Sequence, residues 1–422
     1  MCWCGCGVTR MVTMKASTQS RHQRGRAAMS SSTTTALSRQ PLAQVLKNVE
    51  DPRDRRGVRH SLFAVLSLAV TGVLAGRRSL TAIWEHTTDL TAADLEAPGL
   101  EAGQALPSES TIRRVLQDLD PTDLNAHLRS WYCTRTGTIE GRTVIAVDGK
   151  TVRGARLGQA SAPHLLAALD QATGVVLTQM RVADKSNEIP ALRGLLEPLD
   201  LGGAVVSADA MHTQTGTAQW IVGRGGHYVF TVKNNQPGVR RTLKRLPQKN
   251  VPSTSPPPGS TPLMGGGCDA PSKPSKQPSG RASPQPPRWS GSDAPLPPGT
   301  VRTRARTAAL RQPLKRRALR WSTPICSLPM DQAQPETVAA RVQGHWGRES
   351  RTASTSVRDV VTGEDHHQLR TANGPEIMAM LRNLAINLIR LFHGTRAAIA
   401  STTRSLSRHP KRAIKLITQP TT

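Results

Sequence analysis

The sequence predicts an α/β protein: a mixed sheet flanked by helices, preceded by a helical region and interrupted by a disordered insertion. Three observations lead there. Two apolar runs, TVIAVD at 143–148 and GAVVSAD at 203–209, read as strands buried on both faces, and each ends in an aspartate. Strand-like and helical segments alternate over 143–236. From 251 to 300 the composition shifts abruptly: this stretch holds 14 of the chain's 31 prolines, and Val251, Leu263 and Leu296 are its only branched aliphatics.

Residues 1–38 are rich in Ser, Thr and Arg without periodicity and read as a disordered tail, with Met14 or Met29 serving equally well as a start. Residues 39–135 read as a helical, DNA-binding region. LAQVLKNV, the apolar run after His60 and LTAIWEHTTDL place apolar residues at three-to-four spacing. The run SLFAVLSLAVTGVLAG at 61–76 is too short and broken to span a bilayer. In PSESTIRRVLQDL, Ser110 is the expected cap ahead of Ile112, Val115, Leu116 and Leu119, with Arg113 and Arg114 on the opposite face. That pair suits either DNA phosphates or a solvated surface.

The first part of the core is expected over 140–250. Its strands are TVIAVD, GVVLTQMRV, GAVVSAD and HYVFTV, with HLLAALDQ and a helix from Glu188 to Leu199 between them. The segment 251–326 cannot bury a core and reads as a disordered insertion; only Asp269 and Asp293 are acidic between 251 and 330, against twelve Lys and Arg. Residues 327–400 read as the helical C-terminal part of the core, with a strong amphipathic helix at 375–394, and 401–422 as a basic tail.

Charge narrows the partner. The chain carries 56 Lys and Arg against 29 Asp and Glu, a formal charge of +27, which is the footprint of a protein that meets a polyanion. Aromatics are only 3%, so base-stacking platforms are excluded and contact should run through phosphates. Cys2, Cys4 and Cys6 have CxCxC spacing with no His close behind, and Cys133, Cys268 and Cys326 complete no four-ligand set, so structural zinc is rejected. Nothing requires disulfides, no signal peptide is apparent, and a cytoplasmic protein fits.

Asp148 and Asp209 are the candidate chemistry. A carboxylate at the end of a buried strand has left the packed sheet and can meet a metal. Either residue alone reads as readily as a cap on the following turn. Together, in so basic a chain, they favour a divalent-metal site.

An ordered set of motifs resembles a known family. DPRDRRGVRHSL, AGRRSLTAI, PSESTIRRVL, VIAVDGKTVRGA, KSNEIPA, SADAMHTQ, GGHYVFTVKNNQP, GHW, VRDVVTGED and LRNLAINLIRL look like the bacterial insertion-sequence transposases of the H-repeat-associated (ISAs-type, IS4-like) group, over roughly 40–240 and 327–393. The resemblance implies a DDE transposase with an RNase H-like core. It implies Asp148 and Asp209 as the first two catalytic carboxylates, two Mg²⁺ ions with Mn²⁺ an alternative, and double-stranded DNA, both element ends and target, as the partner. A homodimer on DNA and no membrane are the accompanying expectations. Lys150, Arg153, Lys233, Asn234 and Gln236 follow the two strands closely and are candidates for phosphate contacts beside Arg113 and Arg114. Each alone also reads as a surface residue, and His212 as a structural histidine.

The third carboxylate of that group is the glutamate of HW-x-I-E-N-x-L-H. Here the region reads HWGRESRTASTSVRDV, so Glu349 stands at the family's distance but among the wrong neighbours. Arg351 to Thr355 is what Glu-Asn-Arg-Leu-His-Tyr becomes when GAG AAC CGC CTC CAC TAC is read one base out of frame. The stretch from about 253 to 322 has the same wrong-frame character. Two functions are therefore in play: an active transposase with Glu349 as third ligand, or a frame-disrupted remnant that only binds DNA. A host nuclease of the same fold is a weaker third, because the helical N-terminal motifs match transposases.

Overall fold

The computed structural model describes residues 12–13, 40–100, 103–182, 188–245, 323–329, 331–346 and 357–420. The rest of the 1–38 tail, the insertion up to 322 and Glu349 lie outside them.

After the two-residue strand β1 (Val12–Thr13), six helices form the N-terminal region: α1 (Leu42–Lys47), α2 (Leu62–Leu74), α3 (Leu80–Thr88), α4 (Ala92–Glu96), α5 (Glu109–Asp118) and α6 (Pro121–Cys133). Their starts are set by side chains that take up the orphan N–H groups of the first turn. Ser61, Ser79 and Asp120 accept from Ala64, Ala82 and Thr122. The cap of α5 is Ser108, not Ser110: its hydroxyl accepts from Thr111 N–H at 3.3 Å. Ser110 falls inside the first turn, which already opens on the acid Glu109. Ile112, Val115, Leu116 and Leu119 are buried as expected.

The sheet is mixed and follows the RNase H-like order. Strands β2 (Val144–Thr151), β3 (His164–Asp170) and β4 (Val176–Val182) form an antiparallel meander. Past α7 (Glu188–Leu196), β5 (Val205–Ala208) pairs parallel with β2. Past α8 (Thr215–Gly223), β6 (His227–Val232) pairs parallel with β5. After α9 (Pro237–Arg245), β7 (Thr323–Cys326) closes the edge antiparallel to β6, with β1 parallel outside it. Strand β7 thus lies inside the stretch that composition assigns to the insertion.

Two expectations are corrected here. HLLAALDQ, left out of the expected strands, forms β3. A run apolar at nearly every position fits both periods, and it is the pairing with β2 and β4 that decides. The helix after Glu188 stops at Leu196 rather than Leu199.

One face of the sheet, through Ile145, Val147, Ala208 and Phe230, is continuous with the core under the N-terminal helices. The other face, through Val144, Val205 and Val229, is covered by Val338 and Val342 of α10 (Pro335–Trp346). Helix α11 (Gly374–His393), the expected amphipathic helix, is buried on every side as far as Arg390, its polar side included. Its polar residues face protein. Asn387 exchanges hydrogen bonds with Val176 backbone at 2.9 and 3.0 Å, and Asn383 donates to Gln179 Oε1 at 2.6 Å. The expected basic tail forms two helices, α12 (Ile399–Arg408) and α13 (Pro410–Thr418). Their apolar sides, Leu406, Ala413, Leu416 and Ile417, join the core shared with Leu42 and Leu46 of α1.

Candidate active site

The last paired rung between the parallel strands β2 and β5 is Val147 opposite Ala208. Asp148 and Asp209 are the next residue on each strand, so their backbones lie side by side, at about the 4.8 Å spacing of neighbouring strands. Contrary to the expectation that Asp148 ends its strand, it stays paired with Ala167 of β3 and β2 runs on to Thr151, so only the pairing with β5 stops there. Side chains alternate along a strand, and this fixes the face. Ile145 and Val147 enter the main core, whereas Val144 and Ala146 enter clusters on the opposite side, which Asp148 therefore shares. Val205, Ser207 and Asp209 share that side too, under α10.

Helix α10 reaches the pair through His345. Its Nδ1 lies 3.2 Å from Ser207 Oγ, and its Nε2 lies 3.9 Å from Asp209 Oδ1. The Asp209 side chain keeps 26% of its surface open. Two partly open carboxylates at the same level of neighbouring strands are hard oxygen donors of the kind Mg²⁺ and Mn²⁺ take. Among the described residues no group of three His, Cys, Asp or Glu is placed to hold a metal ion. Asp148 and Asp209 supply two such oxygen donors on adjacent strands.

Two residues past Asp148, Lys150 meets a different environment. It pairs with Asp359 and with Glu364 Oε2 at 2.8 Å, and only 10% of its side chain is open. Glu364 is sealed among Lys150, Arg358 and Arg382, with Arg358 Nη2 at 2.8 Å. Burial alone would raise its carboxyl, but these cations outweigh burial and hold it at about 2. His367 is pushed down to about 3 by burial and by Arg382. Gly154 makes the close packing possible: a Cβ there would sit 2.7 Å from the Asp365 carbonyl oxygen and 2.8 Å from that of Glu364.

On the other face of the same strand ends lies a third carboxylate, Glu188, buried at the start of α7. It contacts His164 Nε2, and its Oε2 is 3.6 Å from His212 Nε2. Burial would raise this carboxyl as well; the two histidines outweigh it and hold it at about 2. A Cβ on Gly149 would lie 2.6 Å from Glu188 Oε1 and 2.7 Å from His164 Nε2. Only glycine fits between Asp148 and Lys150.

The remaining candidates are spread around this edge. Arg153 is exposed in the turn after β2, and Lys233 and Asn234 are exposed past the end of β6. Asn234 accepts from Arg240, while the Gln236 amide donates to the Thr213 carbonyl at 2.9 Å and ties its loop to the turn after Asp209. Arg113 pairs with Glu109, and exposed Arg114 donates to the Ser110 carbonyl at 3.3 Å. Glu188 and Glu364 were not singled out from sequence. The signals were present as the Glu of KSNEIPA and the Glu of VRDVVTGED, but an acid at a helix start or beside a glycine reads as surface.

Comparison with known proteins follows the same lines. A model of the transposase DDE domain matches residues 139–388, and a model described as DDE_Tnp_1-associated matches 43–132. YncI of Escherichia coli (strain K12) is 31% identical over 219 residues, 51% of this chain and 86% of that protein. The H repeat-associated protein YbfD of the same strain is 28% identical over 215 residues, 50% of this chain and 83% of its own length. A protein encoded in the dhlA 3′ region of Xanthobacter autotrophicus is 35% identical over 186 residues, 44% of this chain. The chain spans 62% of that relative and 56% of YbfL, another Escherichia coli (strain K12) protein it matches. Among the described residues no helix is long and apolar enough to cross a membrane.

Proposed function

Since the chain belongs to the transposase DDE domain family, we propose that it cuts and joins DNA strands at the ends of its own insertion sequence, with Asp148, Asp209 and Glu349 as metal-holding carboxylates. The observation that carries this reading is the pair of aspartates side by side on adjacent parallel strands within the matched domain. Glu349 lies outside the described residues.

When bound, two Mg²⁺ or Mn²⁺ ions supply charge stabilisation for the attacking and leaving oxygens of an in-line phosphoryl displacement. Asp148 and Asp209 would fix the site from within β2 and from the residue that follows β5. Exposed Arg153, Lys233 and Asn234 line the same edge of the sheet as phosphate holders, with Arg113 and Arg114 contacting the duplex from α5. Lys150 and Gln236 act through protein contacts instead, steadying the segments around the aspartates. Water attacks a phosphodiester and frees a DNA 3′-hydroxyl, which then attacks the target strand. Each step exchanges one P–O bond for another, so no covalent link to protein forms.

Strand cleavage on duplexes carrying the element's ends, with Mg²⁺, tests the reading. Asp148→Asn or Asp209→Asn should abolish cleavage and leave DNA binding intact. A second reading is supported by the HWGRES departure: a remnant that binds DNA without cutting. On that reading the unmutated chain is inactive, and cleavage returns only when Ile-Glu-Asn-Arg-Leu-His replaces 349–356, with repair of 253–322 if that alone fails. Cleavage by the unmutated chain that Glu349→Gln abolishes excludes the remnant.

A further inference from the structure

Glu188 is 4% exposed and takes no part in the acid pair or the phosphate contacts. Its neighbours connect it to both. His164, which it touches through Nε2, has its Nδ1 2.9 Å from Thr151 Oγ1 at the end of β2, the strand of Asp148. His212, near its other oxygen, closes the 3₁₀ turn Ala210–His212 that begins at Asp209. The His212 backbone N–H donates to the Asp209 carbonyl at 2.9 Å, and the Thr213 N–H donates to the Ala210 carbonyl at 3.0 Å. One carboxylate thus grips, through single residues, the strand of one aspartate and the turn of the other. Gly149 leaves the space in which it does so.

A buried ion pair is weak evidence for stability alone, because taking the charges out of water costs about as much as their attraction returns. Well-packed aliphatics would fill the same space at less cost, so the cluster points to geometry. We propose that Glu188 is a positioning residue: through His164 and His212 it sets the spacing of Asp148 and Asp209, and with it the grip of the pair on a divalent cation.

The proposal rests on the reading of the aspartates as metal ligands, and two measurements on the full chain separate them. The first needs no metal. Amide hydrogen exchange at His212 and Thr213 should speed up by at least about tenfold in Glu188→Ala, equivalent to a loss of about 1.4 kcal/mol. Glu188→Gln keeps one acceptor oxygen and loses the second, so it should give an intermediate acceleration, and it serves alone if the alanine variant does not fold. The second measures Mn²⁺ binding by the loss of its free electron-spin resonance signal. Asp209→Asn should abolish binding, Glu188→Ala should weaken it by at least about tenfold, and Glu188→Gln should recover part of that loss. Unchanged exchange at 212–213 in both Glu188 variants overturns the positioning role whatever the metal result. A lowered thermal midpoint with unaltered Mn²⁺ affinity in the folded protein does the same. Mn²⁺ binding unaffected by Asp209→Asn overturns the metal reading instead.

Discussion

Asp209 and Glu364 are carboxylates near the same strand ends, and the protein treats them in opposite ways. Glu364 has no open surface and three cations around it, while Asp209 keeps about a quarter of its side chain in solvent with a histidine at 3.9 Å. A sealed charge matched by internal cations has no capacity left for a ligand, whereas the reading of Asp209 as a metal ligand needs the open surface it keeps. Lys150 shows how sharply the boundary runs, since it belongs to the sealed cluster yet stands two residues from Asp148.

The largest difference should appear in stability. Glu364→Ala leaves Lys150, Arg358 and Arg382 without their shared anion, and breaking such a buried set costs roughly 3–5 kcal/mol. Asp148→Asn should stay within about 1 kcal/mol of the wild type, in the ordinary range for a half-open polar site. Urea denaturation of both variants checks the contrast, and equal losses would erase it.

Acid should separate the sealed groups next. Glu364 and Glu188 are held at about 2, below the ordinary 4.5, so they stabilise the fold above pH 4.5 and lose that contribution as pH falls toward 2. His367, buried and held at about 3 rather than 6.5, acts in the same direction from pH 6.5 downward. Glu376, raised by burial, works the other way. Thermal midpoints should therefore decline from about pH 6.5, and Glu364→Gln should flatten the lower part of that decline.

Gly149→Ala probes the space between the two regions. Its methyl would meet Glu188 and His164 below 3 Å, and overpacking of that kind costs about 1–3 kcal/mol, read by the same denaturation. The smallest effect is expected at Arg114→Ala. Stability should change by no more than about 0.5 kcal/mol, while the salt dependence of duplex binding loses about one phosphate's worth of slope.

The aspartates were legible in the sequence because a strand of a parallel pair, buried on both faces, is an unbroken apolar run with a visible end. The same density of apolar residues hid β3: from Leu165 to Leu169 it has no polar position to reveal a period, and its strand character comes from neighbours on both sides. The polar residues of α11 misled in the opposite sense. Asn383, Asn387 and Arg390 look like a wet face until β4 and the Gly174 carbonyl supply their partners. Glu188 and Glu364 were invisible for a related reason, since nothing in a single sequence says which acids will be enclosed by cations drawn from distant segments.

The seat of α13 against α1 and α2 has a consequence for the order of events during synthesis. Leu42, Val45 and Leu46 leave the ribosome about 370 residues ahead of the residues that cover them, Ala413, Leu416 and Ile417. At about 5–20 residues per second the gap is on the order of half a minute. Through that interval the first helices have an uncovered greasy side, which invites a chaperone or a wrong partner. The helical body around α1 and α2 can close only after α13 has been made, so a nascent chain stopped anywhere before it would leave those helices unfinished.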